Sequence, residues 1–123
     1  MAIERHVVQV STTGSSASAT GSRIVPLPYC EILAARMDFH ASAPGTTDTT
    51  LSSPGDPVSV TLLTITNSAT DAWYYPSIQL DDNSGSAITG AYVPAIAHGN
   101  LLVELAGSDA LTDALTLTLF VRV

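Results

Sequence analysis

The chain holds a single cysteine, Cys30, among its 123 residues. A lone thiol cannot close an intrachain bridge, so a disulfide-stapled scaffold is excluded and no thiolate cluster is available for a metal. That usage fits a reducing compartment. Lysine is absent, and four scattered arginines (Arg5, Arg23, Arg36, Arg122) stand against eleven carboxylates, which gives a formal net charge of −7. Four separated cations cannot neutralise a row of phosphates, and the acidic balance repels a nucleic-acid backbone, so direct DNA or RNA binding is set aside. Charge of either sign is scarce as well, at 12% of residues, about half the quarter usual in soluble domains. Long apolar runs are missing too. No stretch approaches the roughly eighteen apolar residues of a membrane span, and Glu4, Arg5 and His6 stand where a secretory leader would place a basic stretch and an apolar one. Neither a span nor a leader is expected, and synthesis in the cytoplasm is.

What the chain does have is aliphatic content, with 46% hydrophobic residues and few charges. That balance leaves the surface to Ser, Thr, Ala and Asn, a composition suited to a protein partly covered by neighbours. The length allows one domain. A chain of this size buries roughly two-thirds of the surface it exposes when unfolded, so its core needs no staple.

Gly and Pro punctuate the sequence every ten residues or so, and the segments between them are rich in Thr, Val, Leu and Ile, as in a sandwich or barrel of strands. The clearest strand is the last: Leu115, Leu117, Leu119, Val121 and Val123 alternate with Thr116, Thr118, Phe120 and Arg122. Asn100 to Leu105 repeats the alternation, and Ser77 to Leu80 does so more briefly. Between Val58 and Thr66 the apolar phase shifts at Leu62 and Leu63, which calls for a β-bulge or for burial on both faces. Cys30 to His40 is rich in helix formers. Its period of two, and the prolines at 28 and 44, assign it to a strand. Turns fall at 43–45, 53–57 and 81–85. The expected fold is all-β, a single antiparallel β-sandwich of jelly-roll-like form over residues 23–123. Residues 1–22 are expected to form a flexible N-terminal arm and link. In that segment Ile3, Val7, Val8 and Val10 read as a short strand able to swap onto a neighbour, and Ser11 to Ser22 is almost pure Ser, Thr, Ala and Gly, too polar to bury itself.

Reactive groups are thinly supplied. His6, His40 and His98 lie far apart with no metal-ligand spacing, and Cys30 has no catalytic signature around it. No nucleophile elbow or phosphate-cradling loop is present. Asp81-Asp82-Asn83-Ser84-Gly85 offers oxygens at close spacing but lacks the frame and closing glutamate of a calcium loop, so it reads as a hairpin turn. Asp48, Asp56 and Asp71 read as turn and cap residues. No catalytic, cofactor or metal site is expected, and the chain is read as a non-enzyme. The aromatic cluster Trp73-Tyr74-Tyr75 is the most informative feature, because such rings anchor either a core or an interface. On a strand Trp73 and Tyr75 share one face and Tyr74 the other. Trp73 is assigned to the core, and Tyr74 is divided between core and interface. The candidate partner contacts are Ile3, Val7, Trp73, Tyr74 and Tyr75.

The segments Asp38 to Asp48 (DFHASAPGTTD) and Asn67 to Pro76 (NSATDAWYYP) resemble parts of small virion structural proteins of tailed bacteriophages. The resemblance extends into Ile78-Gln79-Leu80 and the strands from Gly99 to Val123, and stops short of the residues before Arg23. It implies a head decoration or cement protein on the capsid surface, with the major capsid protein as partner and no active-site residues. If it oligomerises, closed symmetry is expected, and a trimer suits the threefold positions of a shell. The alternatives are a neck or tail component and a carbohydrate-binding host-attachment module.

Overall fold

The computed structural model describes residues 2–54 and 59–123. Among the described residues there are eleven strands and no helix: β1 (Ile3–Val10), β2 (Ala19–Val25), β3 (Tyr29–Phe39), β4 (Asp48–Ser53), β5 (Val60–Ile65), β6 (Ala72–Tyr74), β7 (Ser77–Asp81), β8 (Ala87–Pro94), β9 (Ile96–His98), β10 (Leu101–Ser108) and β11 (Leu115–Arg122). Gly55, Asp56, Pro57 and Val58, which carry most of the expected turn at 53–57 and the start of the alternating segment from Val58 to Thr66, lie outside the described residues.

The antiparallel pairings nest inside one another. Innermost is β4 with β5, then β3 with β6, then β2 with β10, and outermost β1 with β11. The chain is thus one long hairpin, interrupted on its return leg between β6 and β10. Rolling that hairpin sets β11 beside β3 and β10 beside β4. Two sheets result, ordered β1-β11-β3-β6 and β2-β10-β4-β5. Two packed antiparallel sheets with this connectivity form a jelly roll. In the interruption, β9 pairs with the start of β3, while β7 and β8 pair only with each other as a separate ribbon.

Side-chain alternation explains the layering. Leu115, Leu117, Leu119 and Val121 of β11 are completely buried, while Thr116, Thr118, Phe120 and Arg122 face the other way. They meet Ile32, Ala35 and Met37 of β3 and, from the opposite sheet, Leu51, Leu101, Val103 and Leu105. Fully burying each such Leu or Val contributes about 1.5–3 kcal/mol. β3 takes the extended form despite its helix formers because it lies inside the sheet, bonded to β11 on one edge and to β6 and β9 on the other. Tertiary pairing of that kind outweighs a few tenths of a kcal/mol per residue of propensity. The phase shift at Leu62 and Leu63 is a bulge: Leu51 opposes Leu63 and Ser52 opposes Thr61, which leaves Leu62 as the extra residue.

The N-terminal segment does not form the expected arm and link. Ile3–Val10 pairs residue for residue with β11 of its own chain, and Val8 and Val10 belong to the core. The Ser/Thr-rich stretch after it is held by polar contacts that compensate for its lack of apolar area. The Thr12 hydroxyl donates to the Asp109 carbonyl and accepts from the Leu111 N–H at 3.0 Å. The Asp109 carboxylate accepts from the Ala17 N–H at 2.8 Å, and the Ser11 hydroxyl accepts from the Asp113 N–H at 3.0 Å. Ala19–Val25 then becomes β2, where a Cβ at Gly21 would overlap the Ser11 carbonyl. Arg23 reaches from β2 to the Gln9 carbonyl of β1 at 3.0 Å, which ties the two edge strands together across the gap between the sheets.

Candidate interaction face

The register of the first sheet sorts its outward residues into rows. Val7 lies opposite Thr118, Thr118 opposite Arg36, and Arg36 opposite Trp73. The next row runs Arg5, Phe120, Ala34, and the one beyond it Ile3, Arg122, Glu31, Ile96. Directly opposed side chains point to the same side of a sheet. Three of the five residues singled out as partner contacts, Ile3, Val7 and Trp73, therefore share one outer face although Trp73 lies some seventy positions from the other two in the chain.

That face is unusually apolar for solvent. Ile3 is 64% exposed, Val7 54% and Trp73 47%. Trp73 does not enter the core as expected. It opposes the outward residue Arg36, and the small Ala34 leaves room for its ring to lean toward Phe120, with ring centroids 6.1 Å apart. The Arg36 guanidinium lies 5.8 Å from the indole centroid, within the range of a cation–π contact. Tyr74, one residue on, opposes the fully buried Ala35 and packs against the core cluster. Tyr75, just past the end of β6, is 69% exposed. Phe120 is the member that the sequence reading passed over. Its place in the alternation of the last strand marks it as outward, and that was the available signal.

The face also differs in charge from the rest of the chain. Arg5, Arg36 and Arg122 stand on it with Glu31 and Asp38, three positive charges against two negative. Arg36 pairs with Asp38 at 3.0 Å and Arg122 with Glu31 at 3.3 Å. Among the described residues Arg5 makes no side-chain hydrogen bond or ion pair.

The residues weighed for chemistry remain apart. His6 contacts Glu4 at 3.1 Å, His40 accepts from the Ser42 N–H at 2.9 Å, and His98 stacks edge-on against Tyr29. Cys30 is buried, and burial, with a smaller contribution from Glu4, pushes its thiol pKa up. Asp82 caps its own turn by accepting from the Ser84 and Ser86 N–H groups. Asp48 and Asp71 accept from the N–H groups of Asn67 and Phe39. Among the described residues no group of three or more His, Cys, Asp or Glu is placed to hold a metal ion. An open depression of about 430 Å³ lies on the other sheet, lined by Thr20, Ser22, Asp48, Thr50 and Glu104 among others. Its two carboxylates have no cation or histidine among the lining residues. No family model, no curated protein and no solved structure matches the chain.

Proposed function

We propose that this chain is a non-catalytic assembly module, a bacteriophage head decoration or cement protein that binds the outer surface of the assembled capsid. The observation that carries this reading is the outward face of the first sheet, where Ile3, Val7, Trp73 and Phe120 lie on the jelly roll. Rings of this kind, with apolar neighbours, supply most of the binding energy in protein interfaces. The likeness of residues 38–48 and 67–76 to phage virion proteins points the same way. A decoration protein engages capsid subunits only once they are assembled, so it stabilises the shell by mass action. The partner is the major capsid protein, and a trimer at the threefold positions suits a closed oligomer.

Purified protein mixed with expanded, undecorated heads should co-sediment in a fixed high ratio, and Val7→Asp or Trp73→Ser should abolish the pelleting. Absence of the wild-type chain from the pellet removes the proposal. Stoichiometry separates it from a neck or tail component, which occurs in few copies per particle. A carbohydrate-binding module is the second reading, favoured by the exposed rings of Tyr29, Tyr75 and Tyr92. A glycan array that lights up for the wild type and goes dark on Tyr75→Ala would favour it instead.

A further inference from the structure

β5 is the outer strand of the second sheet, bonded to β4 on one side only. A border strand presents backbone N–H and C=O groups without partners, and proteins guard it with charge, proline, short length or a covering segment. The other borders carry such guards. β1 holds Glu4, Arg5 and His6 and is tied to β2 through Arg23, β2 is covered at Thr20 by a backbone pair with Thr13, and β6 and β9 have three residues each. In the ribbon, β7 follows Pro76 and ends on Asp81, and β8 holds Gly90 at a φ of 80° and ends on Pro94. Val60–Ile65 (VTLLTI) has neither a charge nor a proline. The seam beside it is open as well. Val8, Val10, Ala19 and Val25 are all buried on the β1–β2 side of the sandwich, whereas on the β5–β6 side Leu62, Leu63 and Tyr74 are half-buried and Val60 is 41% exposed.

We propose that β5 pairs antiparallel with β5 of a second copy of this chain, about a two-fold axis at Leu62–Leu63. The strand's own sequence selects this occupant. VTLLTI reads nearly the same in both directions, so an antiparallel copy sets Thr61 opposite Thr64, Leu62 opposite Leu63 and Val60 opposite Ile65. The bulge makes that register possible. Thr64 lies opposite Thr50 and Thr61 opposite Ser52, the outward positions in the alternation of β4, while Val60 lies opposite Ser53 and Ile65 opposite Thr49, the inward ones. Without the extra residue Leu62, positions 61 and 64 would point to opposite sides of the sheet. With it, opposed residues share a side, as cross-strand neighbours do. The charge balance agrees, because copies of a chain of −7 repel wherever carboxylates meet, and β5 has none. Pairing joins two four-stranded sheets into one of eight strands and lays Val60, Leu62 and Leu63 of each copy against the other. It also uses up the free border, so association closes at two.

The outward face of the first sheet stays free, so the pairing is independent of capsid binding. It makes the free chain a dimer, in place of the trimer that shell symmetry alone suggests. Sedimentation equilibrium of the full chain should give twice the monomer mass, and added salt should not lower it, since no ion pair spans the contact. Thr61→Lys with Thr64→Lys sets lysine opposite lysine, and Thr61→Glu with Thr64→Glu sets carboxylate opposite carboxylate, so each double variant should dimerise at least tenfold more weakly. An equimolar mixture of the two should recover the dimer mass, now in a salt-sensitive form. Both positions are exposed, so the circular dichroism of each variant should match wild type. In the wild type, amide hydrogen exchange within Val60–Ile65 should slow as concentration rises. A wild-type chain that is monomeric or trimeric overturns the proposal. So does a dimer that persists in both double variants, a mixture no better than its components, or exchange in β5 indifferent to concentration.

Discussion

Trp73 and Tyr74 are adjacent in the chain and do different work. Tyr74 packs on the core beside Ala35, so Tyr74→Ala should cost about 2–3 kcal/mol, somewhat below the range for a fully buried ring. Trp73 contributes one tilted ring contact and one cation–π contact at the surface, and Trp73→Ala should cost about 1 kcal/mol. Urea denaturation of the two variants gives the difference, and acrylamide should quench the single tryptophan readily in the native protein. Cys30 shows the opposite condition. Its buried thiol should resist maleimide until the protein unfolds. Because the folded pKa is raised, the unfolded thiol ionises first, near its ordinary value of 9.0. Its contribution to stability is therefore complete below that pH and is lost as pH climbs through the folded value. Denaturation midpoints measured from pH 7 to 10.5 should fall more steeply for wild type than for Cys30→Ala.

At the level of elements, β1 decides between an arm and a structural strand. Deleting residues 1–10 removes Val8 and Val10 from the core and strips one edge of β11 of its partner. The truncated chain should fail to give a cooperative thermal transition, whereas a true arm would be dispensable. The loop after β1 should prove equally sensitive in a polar way. Thr12→Val leaves the Leu111 N–H unpaired and should lower stability by about 1–3 kcal/mol in denaturant titration. These elements also mark how far the sequence could be read. β11, β10, β3 and the Leu62 bulge were legible because one of their faces is aliphatic and the alternation is plain. β4 was not, since Thr49, Ser52 and Ser53 sit at buried positions and mimic a polar loop. β2 was hidden in the same way inside the Ser/Thr-rich stretch, whose order comes from hydrogen bonds to Asp109–Asp113, partners about a hundred residues distant. The outward face of the first sheet was half legible. Alternation set Trp73 and Tyr75 on one side and Tyr74 on the other, but only the register with β3 says which side is inside.

For the whole molecule the nested pairing brings the two ends together. The Val123 N–H donates to the Ala2 carbonyl at 3.0 Å, and the Ala2 N–H reaches the Val123 carbonyl. Joining them through a short Gly/Ser link, and opening the chain between Asn83 and Ser84 in the exposed ribbon turn, should leave the jelly roll intact. Circular dichroism and a melting temperature within a few degrees of the parent would show it, and a featureless unfolded spectrum would contradict the rolled-hairpin account. The same nesting governs how the molecule is made. Leu115–Arg122, synthesised after the other ten described strands, is the middle rail of its sheet, between β1 and β3. While the ribosome is still upstream of it, the nascent chain presents two strand borders with nothing to zip onto and half a core with no lid. Closure must then occur in one late event, and a product that stops short of that rail is left adhesive rather than partly finished, a natural target for chaperones and proteases.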